Sequence, residues 1–350
     1  MKRFENLEIN NFRGIKKLRL DNLGQVNVFV GANNVGKSSI LEALFILSGK
    51  QHPYLPGSLN FIREAARKDF DHLKYLFYNA DIEQHPVISA NTTTLQQHRV
   101  EISLMSEIDM DKQNISAGLS SKETRKITGV HMFCMDPKQE FEVKLYPNKN
   151  GDGLALHSTI RIMDEVVANF LPSIGREGNA VEMYSELVRI NKKNEIVQAL
   201  KEFDSAVEDI DLLSDGLYLK YKDRDSLIPL SMAGDGIRRY LGIIMSAAIS
   251  KANLLLIDEI ENGLHYSVYT KLWKALIITT QKNNIQLFVT THNKEVLRSL
   301  YSAYSELQSS LDNEAIKVYT LKVYENGAHV AYPLSAKGLE GAIDNEVEIR

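Results

Sequence analysis

Residues Gly31 to Ser38 read Gly-Ala-Asn-Asn-Val-Gly-Lys-Ser and fit G-x-x-x-x-G-K-[ST], a pattern that works only where a buried strand runs into a helix. Both neighbours are present. Gln25 to Val30, QVNVFV, is β-rich, and Ser38 to Leu47, SSILEALFIL, has the composition of a buried helix. Gly31 and Gly36 let backbone N–H groups turn inward around a β-phosphate, with Asn33, Asn34 and Ser39 completing the cradle. Lys37 reaches the β/γ oxygens, and the Ser38 hydroxyl can hold Mg²⁺ at the positive end of the new helix. The implied ligand is a nucleoside triphosphate such as ATP, and the implied fold class is α/β.

The rest of the chain has to supply the sheet around this loop. Leu254 to Asp258, LLLID, is a continuous apolar run ending in acid, as a buried parallel strand does. Gln286 to Thr290 reads as another such strand. Helices are expected over Ile237 to Ser250 and, from the spacing of Val268, Leu272, Leu276, Trp273 and Ile277, after the LLLID strand. Near the N-terminus, Phe4, Leu7 and Ile9 alternate and Leu18 to Leu20 resumes an extended pattern, which predicts a hairpin feeding the loop strand. His52 to Gly57 should break regular structure, and a helical stretch should follow around Ile62 to Leu76.

Between these parts the texture changes. Arg99 to Met105, Lys126 to Met135, Glu140 to Tyr146 and Leu154 to Met163 are short alternating runs, expected to form an antiparallel β region. Asn114 to Lys122 is small and polar, as a loop is. Helical spacing returns with Val181, Tyr184 and Val188, then Ile196, Leu200, Phe203, Val207 and Ile210, and the polar Asn191 to Asn194 predicts a helical hairpin between them. Gly216 to Tyr221 and Leu227 to Leu230 read as strands, and Ile316 to Tyr332 as a hairpin turning at Asn326-Gly327. The expected division is 1–50 and 216–350 for two parts of one head and 51–215 for an insertion, a β-rich arm followed by the helical hairpin.

With 350 residues, 25% of them charged, and a formal net charge of -4, nothing global points to nucleic acid. Any such contact would be local. Cys134 is the only cysteine, which excludes an internal disulfide and fits a reducing cytoplasm. No apolar run reaches the ~18 residues of a membrane span, and the charged start MKRFENLEINN has no signal-peptide core. The nine histidines show no zinc-site spacing, and His131 with Cys134 is best read as an accident of a strand.

Three companions refine the chemistry. LLLIDE puts Asp258 at a strand tip, where it can bind Mg²⁺ through water, beside Glu259, which can orient the attacking water. FVTTH places His292 just past another strand end, and strand ends of an open parallel sheet converge on one edge. GANNVGKS, SMAGDG with the following Ile-Arg-Arg, LLLIDEIENGLH and FVTTH, in this order, resemble the Walker A, signature, Walker B with D-loop, and switch-histidine motifs of ABC-type ATPases. FENLEINNFRGIKKL and DEIENGLH are similar to the OLD-like (overcoming lysogenisation defect) ATPases and their stand-alone relatives.

That resemblance implies a P-loop NTPase of ABC-ATPase type, with a mixed central sheet flanked by helices. It gives Lys37 and Ser38 to phosphate and Mg²⁺, Asp258 to Mg²⁺, Glu259 to catalysis and His292 to sensing the γ-phosphate. Arg13, in NFRG, matches an arginine that reaches the nucleotide in some relatives. Ser231 and Gly234 would face the ATP of a second subunit, so the active form is a homodimer or a higher oligomer. The signature register is open by a residue or two, Gln84, Gln96 and Gln97 all fit the Q-loop glutamine, and Arg238 and Arg239 read equally as helix charges. Too few residues follow His292 for the Toprim nuclease of full-length OLD proteins. The implied role is an ATP-driven switch controlling a separately encoded effector, a nuclease, in anti-phage defence. A RecF-like repair ATPase acting on DNA is the alternative; ENGLH stands where that family has a Ser-x-Leu-Asp type D-loop. A transporter subunit fits less well.

Overall fold

The computed structural model describes residues 4–63, 70–109, 124–148, 154–161, 168–173, 180–249, 253–312, 314–336, 338–339 and 341. The chain starts with the expected hairpin, β1 (Leu7–Phe12) and β2 (Ile15–Leu20), and continues into β3 (Val26–Val30) and α1 (Lys37–Ser48). Then come α2 (Leu55–Ile62), β4 (Val87–Asn91), β5 (Gln97–Asp109), β6 (Thr124–Asp136), β7 (Gln139–Pro147), β8 (Leu154–Ser158) and β9 (Ala168–Leu171). Two helices, α3 (Ala180–Arg189) and α4 (Lys193–Phe203), precede β10 (Val207–Leu213), β11 (Gly216–Tyr221) and β12 (Ile228–Pro229). The remainder alternates as α5 (Asp235–Ala248), β13 (Leu254–Ile257), α6 (Tyr269–Lys282), β14 (Gln286–Thr290) and α7 (Lys294–Leu307), closing with the hairpin β15 (Ile316–Val323) and β16 (His329–Ser335).

The central sheet has the order β16-β15-β3-β14-β13-β9 and is parallel apart from β16. β3, β13 and β14 are buried at every position, so both faces must be covered, and continuous apolar runs are what such strands require. One face carries α3 to α7 over a core that includes Leu187, Leu200, Tyr240, Trp273 and Leu300. The other carries α1, whose Ile40, Leu41, Leu44, Ile46 and Leu47 are buried on all sides. Beyond α1 lies a second sheet, β2-β1-β4-β5-β6-β7-β8, antiparallel throughout, and one core joins it through α1 to Leu254, Leu256 and Phe288 of the central sheet.

Strand pairing divides the chain differently from the expected 1–50, 51–215 and 216–350. β4 to β8 do not form an arm of their own; they extend the N-terminal hairpin through the β1–β4 pairing. β9, also inside 51–215, is a strand of the central sheet, parallel to β13. Neither partnership leaves a trace in local sequence pattern, because pairing between distant strands is a tertiary choice.

Some local expectations also shift. Val207 and Ile210 lie on β10, not on a continued helix. A register shift between Val207 and Asp209 inserts one residue into the strand, so the inward positions fall three apart and imitate helical spacing. Leu55 begins α2 within the stretch expected to break structure, since Pro56 sits in its first turn, where a missing N–H is tolerated. Asp71–Leu76 is a 3₁₀ helix separate from α2. The Asn114 to Lys122 loop lies outside the described residues. Cys134 is buried in β6, where desolvation pushes its thiol up to about 12, and no metal-ligand group of three or more His, Cys, Asp or Glu occurs among the described residues.

Candidate active site

Parallel strands β3, β14, β13 and β9 all finish on one edge of the central sheet, and the residues that follow them meet there. β3 leads into Gly31, whose φ of 150° and missing side chain are both required: a Cβ at this position would lie 2.7 Å from the Leu321 carbonyl oxygen. Asn34 and Gly36 also take left-handed backbone, with φ of 65° and 90°, and Gly36 caps α1. Ala32, Asn33 and Asn34 are exposed, while Ser39 is buried in the first turn of the helix. The loop thus presents an open concave face at a helix N-terminus, the geometry that receives phosphate. Lys37 Nζ folds back over it, donating to the carbonyls of Gly31 at 2.9 Å and Ala32 at 2.8 Å. Burial lowers the Lys37 pKa, against the raising fields of Glu259, Asp258 and Glu261.

A chain of hydrogen bonds joins this loop to the ends of β13 and β14. Ser38 Oγ donates to Asp258 Oδ1 at 2.9 Å, and Thr290 Oγ1 donates to the same oxygen at 2.6 Å. Thr290 Oγ1 in turn accepts the Glu259 N–H at 2.8 Å. Glu259 sits in left-handed backbone, φ 45°, an uncommon conformation for a residue with a side chain. Asn262 Nδ2 donates to its Oε2 at 2.9 Å, which fixes the carboxylate from the turn that follows. The hydroxyl and carboxylate oxygens of Ser38 and Asp258 are hard donors facing one another. That donor set suits Mg²⁺, which usually takes one or two protein carboxylates with waters and substrate phosphates completing its shell.

His292 enters from the β14 end. Its backbone N–H donates to Glu261 Oε1 at 3.0 Å and its Nδ1 lies 3.1 Å from the same oxygen, while half of the side chain remains exposed. Glu261 is 8% exposed, and its Oε2 has no hydrogen-bond partner among the described residues. Lys37, Ser38, Asp258, Glu259 and His292 are therefore brought to one edge. Ser231 and Gly234 are not. They lie exposed at the N-terminal end of α5, with Met232 79% exposed between them, and hydrogen-bond to no P-loop residue among those described.

Arg13 is likewise elsewhere. Its Nε donates to Glu42 Oε2 at 2.9 Å and its Nη1 to Asn60 Oδ1 at 2.7 Å and to the Tyr75 carbonyl at 3.3 Å. The expected nucleotide contact is replaced by an anchor for α1, because a buried guanidinium settles on the buried carboxylate nearest to it. Nor do the Q-loop candidates reach the site. Gln84 bonds Asp81 in the turn before β4, and Gln96 and Gln97 sit at the start of β5; the strand end beside Asp258 is that of β9, followed by Pro172 and Ser173.

Sequence spacing does not single out Thr290, Glu261 or Asn262, and it leaves Arg239 level with Arg238 as a helix charge. The first three lie inside FVTTH and DEIENGLH, so the motif was visible but its hydrogen-bonding members were not distinguished from its spacers. Arg239 is buried and donates to the Asp258 carbonyl at 3.0 Å and to that of Pro172 at 3.1 Å, while Arg238 pairs with Asp235 at the surface. Burial, which no spacing reveals for adjacent arginines, separates the two.

The chain is similar to several known proteins. The chain is 27% identical over 329 residues to an "ATP/GTP phosphatase" of Helicobacter pylori, covering 85% of this chain and 87% of the relative. It is 22% identical over 245 residues to the DNA replication and repair protein RecF of Azobacteroides pseudotrichonymphae, covering 65% of this chain and 64% of that protein. Among solved structures, the Smc head domain with an extended coiled coil bound to the C-terminal domain of ScpA, from Pyrococcus furiosus, superposes with a TM-score of 0.52 at 11% identity, covering 99% of this chain and 100% of that one. An SmcHead bound to the C-winged helix domain of ScpA gives 0.50 at 12% identity, with 97% and 99% covered. A family model described as "AAA domain, putative AbiEii toxin, Type IV TA system" matches residues 26–298. The chain belongs to this AAA_21 family and is a P-loop ATPase with an ABC/SMC-head-like fold.

Proposed function

We propose that this chain binds and hydrolyses ATP as a Mg²⁺-dependent dimeric switch of the OLD-like kind, in the cytoplasm, and that its two states control a separately encoded effector in anti-phage defence. The hydrogen-bond chain Ser38–Asp258–Thr290–Glu259 carries this reading, because it holds a phosphate cradle, a carboxylate for the metal and a carboxylate for water on one rigid edge. Lys37 leaves the loop carbonyls for the β/γ oxygens. Glu259, held by Asn262, orients the attacking water and takes its proton. His292 meets the terminal phosphate. Mg²⁺, held by Ser38 and Asp258, neutralises charge on the phosphate oxygens when it is bound.

Ser231 and Gly234 complete the site of a second copy, which is supported by their exposure on the end of α5, away from their own P-loop. A second copy closes on ATP and releases after hydrolysis, and an effector that distinguishes the two shapes is thereby regulated. The family's description, which names a toxin of a type IV TA system, supports a defence setting. Glu259→Gln tests the reading. The variant should keep ATP affinity, accumulate as a dimer in native mass measurements with ATP, and lose about 10²-fold or more of turnover. Phosphate release at the wild-type rate would overturn the assignment. RecF-like action on DNA is a second reading, favoured by the similarity to RecF over most of the chain. ATP-dependent DNA binding with a steep salt slope would select it.

A further inference from the structure

Glu261 lies in the turn that follows β13, and its carboxylate is buried. A carboxylate taken that far out of water needs donors and a counter-charge. Among the described residues, His292 is the one basic group within ion-pair distance of it. Two groups of His292 converge on the same oxygen: the backbone N–H donates to Oε1 at 3.0 Å, and the ring Nδ1 lies 3.1 Å from it. Oε2 has no hydrogen-bond partner among the described residues, so Oε1 carries the whole attachment.

Asn262, the next residue, donates to Glu259 Oε2 at 2.9 Å. Neighbouring side chains of one turn thus hold two groups that reach the sheet edge by different strands, Glu259 after β13 and His292 after β14. The His292 side chain is half exposed, and an imidazole that open has several staggered wells to choose from. One oxygen that receives the backbone N–H and also sits beside Nδ1 selects among them, because only a ring folded back toward its own main chain meets both conditions. A carboxylate oxygen accepts and cannot donate, so Nδ1 carries a proton. Nε2 is then the ring nitrogen left for the nucleotide.

We infer that Glu261 is a positioning residue, which aims His292 at the terminal phosphate before the nucleotide arrives by holding its N–H and its Nδ1 on one buried oxygen. Glu261 acts through His292 and needs no contact with ATP itself. This rests on the role given to His292 above and names the group on which that role depends.

The test is a double-mutant cycle on steady-state ATPase rates of the full chain, joined to the imidazole ¹⁵N spectrum of the nucleotide-free protein. His292→Ala and Glu261→Ala should each lower kcat about 10- to 100-fold, the scale on which a misplaced group beside the reacting atoms acts, with KM for ATP changed less than about threefold. The double variant should lose no more than His292→Ala alone. Glu261→Gln keeps an accepting oxygen at the same reach and should retain kcat within about threefold. Glu261→Asp keeps the charge but withdraws it by one methylene, and should resemble Glu261→Ala. The Gln and Asp pair decides the matter even where the alanine variant does not fold. At about pH 8, above the ordinary histidine range, the His292 signal, identified by its loss in His292→Ala, should show Nδ1 protonated in wild type and in Glu261→Gln, and unprotonated in Glu261→Asp.

Equal losses on removing Glu261 with and without His292, greater activity in Glu261→Asp than in Glu261→Gln, or an unprotonated Nδ1 in wild type would each overturn the positioning role and leave His292 its own. Wild-type kcat in His292→Ala would overturn the role of His292 and the inference with it.

Discussion

Thr290 is wholly buried, and its hydroxyl makes two bonds at the point where β13 and β14 end: it donates to Asp258 Oδ1 at 2.6 Å and accepts the Glu259 N–H at 2.8 Å. Thr290→Val keeps the shape and removes both. A hydrogen bond to a charged group is worth about 1.5–3 kcal/mol, and stranding a buried amide costs about 1–3 kcal/mol, so the loss should be about 3–5 kcal/mol. At a urea m-value of about 3 kcal/mol/M, suited to a chain of this size, the unfolding midpoint falls by about 1–1.7 M. Thr290→Ser is the control. It retains the hydroxyl and gives up one buried methyl, about 0.8 kcal/mol, so its midpoint should fall by about 0.3 M. Equal midpoints for the two variants would refute the reasoning, because they would show that the hydroxyl contributes no more than the methyl.

Complementation between chains tests the shared site: Ser231→Arg and Lys37→Ala, each inactive alone, should regain part of the ATPase rate when mixed, and rates proportional to the single variants' sum would exclude a composite site. Glu42 accepts from Arg13 at 2.9 Å and Arg63 at 2.5 Å, so Glu42→Ala should cost about 3 kcal/mol in urea melts while Glu42→Ala with Arg13→Met costs less, since the buried charge is then removed along with its partner. Burial alone would raise the Asp136 carboxyl, but hydrogen bonds from His98 and Lys50 hold it below the usual range. A depressed carboxylate stabilises above its unfolded pKa of about 3.9 and loses that contribution as pH falls through the folded value. The gap in urea stability between wild type and Asp136→Asn should therefore be full at pH 6 and close below about pH 4; a gap that widens on acidification would contradict the pairing.

Much of this architecture could be read from the chain. The strand, loop and helix around Gly31 to Ser38 fixed the sheet edge, and the apolar runs LLLI and QLFVT could only be strands covered on both faces. Asp258, Glu259 and His292 follow strand ends, so convergence was legible too. Arg13 was not: its motif position points to the nucleotide, while Glu42, far along the chain, holds it elsewhere. β9 carries only four residues, ANFL, too short for a periodicity, and its place beside β13 is fixed by pairing alone. The spacing of Val207 and Ile210 misled because a bulge and a helix turn both place buried residues three apart.

α1 starts at the phosphate cradle and ends just before Lys50, whose ammonium lies 2.6 Å from Asp136 on β6. With one end set in each sheet and its sides packed by both, the helix acts as a rivet. Cutting the chain down to the segments that carry the recognisable motifs would strip Leu41, Leu44 and Leu47 of the outer-sheet part of their core, which includes Ile88, Val100 and Ile102. The outer sheet therefore cannot be shed as an accessory: evolution or protein engineering can redecorate its far edge, but the engine and its casing must unfold together.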